Sequence, residues 1–402
     1  MCQETCQTIE SGEIRIKSAG IVQYNKVWME KLVKVHTDGH YMKMALELAA
    51  RARGRTSPNP LVGACVVRDG KIYGRGLHRR AGMPHAEINA LKEAGDEARG
   101  ATLYVTLEPC CHHGRTGPCT EAVIKAGIAR VVVAMNDPNP LVAGKGIGVL
   151  KEAGVDVTLG VLEKEAMELN EVFIKYITTG RPFVVAKAAV SLDGKIATRT
   201  GRSKWITGAI ARAYGHRLRD WYDAVLVGIG TVLADDPSLT TRLPGGGGRD
   251  PLRVIVDSQA RTPLNARVLT QSSGAATLIA TTAGAPPARL ELLRRAGAKV
   301  LVAGEGPRVD LAELMKKMGE DGITSVLIEG GAGIHGSALA ARIVDKVAWF
   351  IAPKIIGGRE APGAVGGVGV DDPAEATELE RLRISRHGPD LCVEGYLKYR
   401  GG

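Results

Sequence analysis

The sequence is poor in aromatic residues and has no long apolar run. Phe, Trp and Tyr together make up 4% of the 402 residues, which is few for a protein that stacks the bases of single-stranded nucleic acid on aromatic side chains. No run of about 18 apolar residues is present, so no membrane-spanning helix is predicted. The first residues also lack the apolar centre of a secretory signal peptide. We therefore expect neither a nucleic-acid partner nor a membrane partner.

Cysteine is scarce as well, with seven residues in the chain. This number fits the reducing cytosol better than a disulfide framework, so a cytoplasmic protein is expected. The net charge of +10 favours anionic partners, and with so few aromatic residues we expect the anion to be a phosphorylated small molecule. A chain of 402 residues is longer than one ordinary hydrophobic core supports, which predicts two domains.

One stretch of the chain concentrates metal-binding side chains. His85 and Glu87 stand two residues apart, and Cys110 and Cys119 follow in the segment 108–119. Imidazole nitrogen and thiolate sulfur are donors that zinc prefers, and three protein ligands leave its fourth position open for water in a catalytic site. Glu87 would then act on that water as a general acid and base. A structural zinc site is the alternative, but it fills all four positions and needs no adjacent carboxylate.

The spacing of the two cysteines leaves more than one choice for the third ligand. The stretch resembles the H-x-E…P-C-x-x-C signature of zinc deaminases, except that eight residues separate Cys110 from Cys119. The glycines and proline of this segment favour a loop that returns both ends to one metal. Cys111 is a rival, although adjacent side chains point in opposite directions on extended backbone, and His112 and His113 are further rivals. We predict Cys119 as the third ligand.

Short strands and helices alternate in the first half of the sequence. Apolar side chains with helical spacing predict a helix over residues 41–53, and residues 62–77 predict a β-hairpin with its turn at Asp69-Gly70. Helices are predicted to begin near His85 and Cys119, strands at 102–107, 130–135 and 155–159, and helices at 145–153 and 163–176. This alternation predicts helices packed on a mostly parallel sheet. Between two prolines, Asn59 either presents its amide to a ligand or simply belongs to a rigid turn.

The second half is predicted to form a separate core after a linker at residues 178–182. The pattern predicts strands at 183–190, 224–228, 253–257, 277–280, 299–302, 325–328 and 346–352, helices at 288–296, 311–318 and 334–342, and a terminal hairpin over 382–397. We therefore divide the chain into an extension over residues 1–40, expected to be disordered, a first domain over 41–180 and a second domain over 181–402.

Two polar regions of the second half are candidate ligand sites. In residues 328–337 a strand, glycines and a helix follow one another, so a phosphate could approach the helix N-terminus. The segment is not the G-x-G-x-x-G dinucleotide fingerprint, but Glu329 stands at the strand's carboxyl end, where α/β sheets place ligands. The other region contains scattered basic residues that either clamp a phosphate or form a solvated charged face: Lys187, Lys195, Lys204, Arg219 and Arg242.

From about residue 41 onward the chain resembles the RibD family of bifunctional pyrimidine deaminase/reductases of riboflavin biosynthesis. The first half carries the stretches 57–63, 84–87 and 108–119 of that family, including its long cysteine spacing. The second half carries Lys187 and the stretches 191–195, 203–207, 228–232, 235–237, 239–240 and 329–331. The resemblance implies an α/β fold of two domains, a cytidine-deaminase-like zinc domain followed by a dihydrofolate-reductase-like domain.

The resemblance also implies the two reactions and their cofactors. A Zn²⁺-dependent domain would hydrolytically deaminate 2,5-diamino-6-(5-phosphoribosylamino)pyrimidin-4(3H)-one. An NADPH-dependent domain would then reduce the ribosyl group, which gives 5-amino-6-(5-phosphoribitylamino)uracil. Members of the family are often homo-oligomers, so we expect the same here. The competing hypotheses are a nucleic-acid-editing deaminase fused to a binding domain, and an inactive deaminase domain retained as a scaffold.

Site residues follow from the resemblance, position by position. In the deaminase half it implies the zinc ligands His85, Cys110 and Cys119, the catalytic Glu87, and substrate contacts at Asn59, His78, His112 and Arg115. In the reductase half it implies substrate contacts at Ser203, Arg219, Leu239, Arg242 and Glu329. It implies an NADPH site lined by Ala189, Trp205, Thr231, Asp235 and Ser258, with Gly331, Ala332, Gly333, Ile334, His335, Gly336 and Ser337 at its phosphates. Lys187 and Asp235 are the catalytic candidates for handling the proton that accompanies hydride transfer.

Overall fold

The structure is a computed structural model that describes residues 37–112, 117–140 and 142–399. Most of the extension expected over residues 1–40 therefore lies outside the described residues, as do His113 and Arg115. The first helix already begins at Asp38, three residues before the predicted start. Asp38 belongs to the folded unit because its carboxylate accepts hydrogen bonds from Arg130 at 3.0 and 2.8 Å and from the Tyr104 hydroxyl at 2.8 Å.

The first half is built on a five-stranded sheet of order β2-β1-β3-β4-β5. Its strands are β1 Gly63–Arg68, β2 Lys71–Leu77, β3 Thr102–Val105, β4 Arg130–Val133 and β5 Asp156–Leu159. The hairpin turn at Asp69-Gly70 is confirmed, with Arg68 paired to Lys71. β1 runs antiparallel to both β2 and β3, whereas β3, β4 and β5 are parallel. The prediction of a mostly parallel sheet is wrong for this half, because the hairpin contributes the antiparallel pairings.

The described residues of this half form six α-helices: α1 Asp38–Ala50, α2 Ala86–Ala94, α3 Cys119–Lys125, α4 Lys145–Glu152, α5 Glu163–Leu169 and α6 Glu171–Thr179. The predicted apolar face of α1 is buried, including Met42 and Ala45. One continuous helix over 163–176 was expected, but Asn170 separates α5 from α6. The side-chain amide of Asn170 forms two hydrogen bonds with the backbone of Leu61. It accepts from the Leu61 N–H at 2.8 Å and donates to the Leu61 carbonyl at 3.0 Å.

The second half contains a nine-stranded sheet of order β10-β9-β8-β7-β11-β6-β12-β14-β13. The first seven strands in this order are mutually parallel, and the terminal hairpin adds two antiparallel strands at one edge. The bounds agree closely with the predicted strands: β6 Phe183–Ser191, β7 Ala224–Gly228, β8 Leu252–Val256, β9 Thr277–Thr281, β10 Lys299–Val302, β11 Ser325–Ile328, β12 Lys346–Ala352, β13 Glu378–His387 and β14 Asp390–Lys398.

The helices of the second half include one long element that the sequence pattern does not predict. They are α7 Ala209–Trp221, α8 Ile229–Asp235, α9 Arg267–Thr270, α10 Pro287–Arg295, α11 Leu311–Glu320 and α12 Ala332–Ala340. The pattern does not predict the short helices α8 and α9 either, but the longest unpredicted helix is α7. Its buried positions are Ala211, Gly215, Leu218 and Asp220, so glycine and aspartate interrupt the apolar repeat on which the prediction depends. Every helix in the described ranges falls short of the length and apolarity needed to cross a membrane.

Gly70 and Gly148 provide a matched test of this backbone geometry. Gly70 has φ +77° in the hairpin turn, whereas Gly148 lies within α4, and a Cβ at Gly148 would meet nothing within 4 Å. Gly70→Ala should lower the free energy of unfolding by about 1–2 kcal/mol, because an alanine is strained in left-handed backbone. Gly148→Ala should raise it by about 0.5–1 kcal/mol. Urea unfolding of the full chain, followed by far-UV circular dichroism, measures both, and shifts of the same sign would contradict the turn geometry.

Candidate active sites

Three donor side chains of the first half converge where two helices begin. His85 immediately precedes α2, Cys119 is the first residue of α3, and Cys110 lies in the loop that follows β3. Nδ1 of His85 is 3.2 Å from Sγ of Cys119 and 3.6 Å from Sγ of Cys110. Within the described part of the chain, these three residues form the only group of three or more histidine, cysteine or carboxylate side chains whose donor atoms lie within 4.8 Å of one another.

The electrostatics of this cluster suit a thiophilic metal. A hydrogen bond from the Cys119 thiol, together with the His85 ring and the backbone N–H of Cys119, lowers the pKa of Cys110 well below that of an ordinary thiol. The thiolate is the form of cysteine that binds zinc. One imidazole and two sulfurs are also the donor set of a catalytic zinc site with one open position. The residues present therefore fit zinc.

Glu87 lies against the cluster in the first turn of α2. Only 3% of its surface is exposed, and burial raises the pKa of its carboxyl group. The Cys119 thiol contacts this carboxyl group. Oε2 of Glu87 is buried and has no hydrogen-bond partner among the described residues. A buried acceptor of this kind needs a partner, and a bound water or substrate beside the metal would supply one.

Two of the predicted substrate contacts lie beside the cluster. Nδ2 of Asn59 is 3.1 Å from Nε2 of His78, and the His78 ring meets the His85 ring edge-on at 5.3 Å. The Pro84 carbonyl can only accept, so the His78 Nδ1 at 3.3 Å donates to it and Nε2 accepts from Asn59. Burial lowers the pKa of His78, which favours this neutral form. His112 is exposed, and Arg115 lies outside the described residues.

Glu108 is a residue of this site that the sequence analysis did not single out. Its buried carboxylate accepts four backbone hydrogen bonds at 2.8–3.2 Å, from the N–H groups of Asp137, Gly144, Gly146 and Ile147. It thereby fixes the loop that enters α4 directly beside Pro109 and Cys110. The only sequence signal was a glutamate between an apolar strand and a proline-cysteine pair, and its partners are too distant in sequence to be inferred.

In the second half the structure brings Arg219 and Glu329 into contact with each other. Nε and Nη2 of Arg219 each donate to one oxygen of Glu329 at 2.8 Å, and Nη1 donates to the Thr240 carbonyl at 2.9 Å. The sequence analysis placed both residues directly on substrate. Their contact with substrate stays a prediction. Most of the Arg219 N–H groups already donate hydrogen bonds within the protein.

The charge of Glu329 is fixed by its neighbours. Burial alone would raise its pKa, but the adjacent Arg219 and Lys187 lower the pKa to about 2. Burial also lowers the pKa of Lys187, the first proton-handling candidate. Asp235, the second candidate, is exposed and accepts a hydrogen bond from Ser203 Oγ at 3.4 Å. In the parts of the chain described, no contact joins Lys187 to Asp235. Lys187 lies beside Glu329 and Arg219, whereas Asp235 is exposed.

A cavity of about 810 Å³ lies at the start of α12, where phosphate binding is predicted. Ser258, Gly333, Ile334 and Ser337 of the predicted cofactor residues line it, together with residues that the sequence analysis did not choose: Gly228, Ile229, Gly230, Arg261 and Arg308. Trp205 is 64% exposed, and the Arg212 guanidinium lies 4.5 Å from its ring centre. Ala189, Thr231, Gly331, Ala332 and Gly336 are not among the lining residues of the cavity.

Two predicted contacts have side chains that face the core. His335 is fully buried, and its Nδ1 donates to the Ala364 carbonyl at 3.1 Å. Leu239 is 3% exposed and packs in an apolar cluster. Ligand contacts at these two positions stay a prediction, and they would involve backbone atoms, because α12 turns the His335 side chain inward and the Leu239 side chain packs between sheet and helix. Arg242 is exposed beside Thr240, donating to its Oγ1 at 2.8 Å.

Comparison with known proteins gives a separate match for each half of the chain. The profile described as "Cytidine and deoxycytidylate deaminase zinc-binding region" matches residues 35–135, and the profile described as "RibD C-terminal domain" matches residues 182–393. The Riboflavin biosynthesis protein RibD of Bacillus amyloliquefaciens is 47% identical over 352 residues, which cover 88% of this chain and 94% of that protein.

Two solved structures share the whole fold. One is Acinetobacter baumannii RibD, form 1, with a TM-score of 0.80 and 39% identity over 90% of this chain and 99% of that chain. The other is a diaminohydroxyphosphoribosylaminopyrimidine deaminase/5-amino-6-(5-phosphoribosylamino)uracil reductase from Thermotoga maritima, with a TM-score of 0.77 and 38% identity over the same shares. Both similarities extend across the two halves of the chain.

Glu329 should stabilise the second half only while it is ionised. Its pKa in the folded chain is about 2, below the ordinary value of 4.5. Its contribution is therefore fully present above about pH 4.5 and is lost as the pH falls towards 2. Glu329→Gln should lower the free energy of unfolding at pH 7 by about 3 kcal/mol, and this difference from wild type should narrow as the solution is acidified.

Urea unfolding followed by tryptophan fluorescence measures this effect, because Trp205, Trp221 and Trp349 all lie in the second half. Glu291→Gln is the matched control. Glu291 pairs with Arg295 at 3.0 Å on the helix surface, and such exposed pairs contribute no more than about 0.5 kcal/mol. A difference between wild type and Glu329→Gln that does not change with pH would contradict the charge assignment.

Proposed function

Because the chain belongs to the RibD family of riboflavin-biosynthesis enzymes, which unite a pyrimidine deaminase with a reductase, we propose that it acts on the substrates of both reactions in sequence. The first half deaminates 2,5-diamino-6-(5-phosphoribosylamino)pyrimidin-4(3H)-one. The second half reduces the ribosyl group of the product to ribityl, which gives 5-amino-6-(5-phosphoribitylamino)uracil. The observation that carries this proposal is the buried carboxyl group of Glu87 against the cluster of His85, Cys110 and Cys119, with its Oε2 lacking a hydrogen-bond partner among the described residues.

The residues of the deaminase half divide the work of hydrolysis. His85, Cys110 and Cys119 would hold zinc, which when bound supplies the Lewis acidity that activates water. Glu87 accepts a proton from the attacking water and delivers it to the departing amino group as ammonia leaves. Burial raises its pKa above that of an ordinary carboxyl group, which makes it a better proton acceptor for the first step. Asn59, oriented by its hydrogen bond to His78, binds the edge of the pyrimidine.

In the reductase half the cavity at α12 holds the cofactor. NADPH when bound supplies the hydride. The backbone at Gly333 and the start of α12 would bind its phosphates. Lys187 is the better candidate of the two for delivering the proton to the opened sugar, because its lowered pKa makes proton release easier. Glu329, held by Arg219, keeps a negative charge beside Lys187 and favours its protonated form before transfer.

The remaining features of the proposal concern organisation. We place the domain boundary between residues 180 and 181, where Gly180 ends α6 in left-handed backbone before β6 begins. A homo-oligomer and a cytoplasmic location stay predictions.

The proposal is tested by separating the two reactions on one purified chain of measured zinc content. The diaminopyrimidine nucleotide is supplied, and ammonia release and NADPH oxidation are followed independently. Chelation of zinc should stop ammonia release, whereas NADPH oxidation should continue when the already deaminated nucleotide is supplied. Loss of NADPH oxidation on chelation would contradict two separate centres, and ammonia release from a short RNA instead of the nucleotide would favour the nucleic-acid hypothesis.

Glu87→Gln should retain zinc and fold but release ammonia at least about a hundredfold more slowly, because an amide cannot carry the proton. Glu93→Gln is the control, since Glu93 is an exposed carboxylate on the same helix. Steady-state ammonia release, normalised to zinc content, measures both variants. Near wild-type deamination by Glu87→Gln would show that the proton moves through another group.

Arg261 and Arg308 should determine the preference for NADPH over NADH. Both line the cofactor cavity, and a guanidinium is the group best suited to bind a 2′-phosphate. Arg261→Ala with Arg308→Ala should raise the KM for NADPH about tenfold, equivalent to about 1.4 kcal/mol, and leave the KM for NADH unchanged. Arg295→Ala, on an exposed helix face, is the control. Equal effects on the two cofactors would remove these arginines from 2′-phosphate recognition.

A further inference from the structure

The segment 54–61, which carries Asn59, lies at the contact between the two halves. Its first residue approaches the second half very closely, since a Cβ added to Gly54 would lie 2.4 Å from the carbonyl oxygen of Asp220. On another side the segment borders a cavity of about 560 Å³ between the halves. Apolar packing on that side therefore does not hold the segment, and its position depends on its polar contacts.

Arg55 attaches the segment to the end of α7. Its Nη2 donates to both carboxylate oxygens of Asp220, at 2.8 and 3.0 Å, and its Nη1 donates to the Asp220 carbonyl at 3.2 Å. The Asp220 side chain is 8% exposed, whereas that of Arg55 is 35% exposed, so the ion pair is buried on its acidic side. The same carboxylate accepts the backbone N–H of Arg249 at 2.7 Å, which fixes it from within the second half.

Ser57 provides a second attachment two residues further on. Its hydroxyl donates to Oδ2 of Asp223 at 2.8 Å. Asp223 is itself held by Thr324, whose N–H and hydroxyl donate to the same oxygen at 3.1 and 2.7 Å, and by Arg249, which donates to its other oxygen at 3.2 Å. Both aspartates are thus rigid acceptors supplied by the reductase half.

The opposite end of the segment is held from the deaminase half. Asn170 exchanges two hydrogen bonds with the backbone of Leu61. Asn59 therefore lies two residues from an attachment on either side, with a proline next to it in each direction. Its amide can meet His78 and a pyrimidine in one fixed position because the backbone on both sides is immobilised.

We propose that Asp220 and Asp223 of the reductase half are positioning residues for deamination. They hold Arg55 and Ser57, and through them they place Asn59 against the pyrimidine beside the metal cluster. This inference rests on the proposed function, since it takes Asn59 as a substrate contact. Asp220 directly follows Arg219 near the end of α7. Arg219 holds Glu329 in the reductase half, whereas Asp220 holds Arg55 of the deaminase half.

The test measures deamination by the full chain. Asp220→Ala and Arg55→Ala should each raise the KM for ammonia release about tenfold, with kcat changed less than about threefold and zinc content unchanged. The double variant should be no worse than either single variant, because both remove the same attachment. Arg55 is the safer of the two substitutions for folding, since its side chain is 35% exposed.

Lys175→Gln is the matched control. Lys175 also forms an ion pair between the halves, with Asp345 at 2.7 Å, and is likewise 35% exposed, but this pair does not involve the segment 54–61. Lys175→Gln should lower the free energy of unfolding without raising the KM for ammonia release. Unchanged KM values in Asp220→Ala and Arg55→Ala, or a rise equal to that in Lys175→Gln, would overturn the positioning role. A wild-type chain that releases no ammonia would instead contradict the proposed function itself, and this inference with it.

Discussion

The convergence of an imidazole, two sulfurs and a carboxyl group on one point is the constraint on which the first half depends. Polar groups of this density cannot be buried without partners, so the surrounding elements must present their own polar ends to them. The parallel pair β3 and β4 sends its loops to the same sheet edge, and helices α2 and α3 begin there with His85 and Cys119. Glu108 then secures the neighbouring loop through four backbone N–H groups, which leaves Cys110 little freedom.

Three glutamates show how the surroundings give the same side chain different properties. Glu108 is surrounded by N–H donors and acts as a structural anchor. Glu329 faces a guanidinium and an ammonium group, which keep it ionised. Glu87 contacts the Cys119 thiol and has an oxygen without a partner among the described residues, and burial raises the pKa of its carboxyl group. The surroundings therefore favour the ionised form of Glu329 in the second half and the protonated form of Glu87 in the first half.

Much of this arrangement could be predicted from sequence where local pattern decides structure. The hairpin at Asp69-Gly70, nearly all strands of the second half and the cluster of His85, Cys110 and Cys119 follow from short-range spacing. The failures share a different cause. α7 was missed because its buried face includes Gly215 and Asp220, the break at Asn170 depends on a partner 109 residues away, and the mixed sheet depends on strand pairing. The mutual pairing of Arg219 and Glu329 was likewise invisible, because a sequence gives charges but not their partners.

The contact between Arg55 and Asp220 bears on how separable the two halves are. The chain changes from one sheet to the other at Gly180, so by topology it could be cut there. Such a cut would place hydrogen-bond partners on different pieces. Asp220 and Asp223 would remain on one piece, and Arg55 and Ser57 on the other. Two carboxylates shaped to receive a neighbour would then face solvent with part of their hydrogen bonding lost. One continuous chain therefore keeps the two aspartates of the reductase half next to the segment of the deaminase half that they hold.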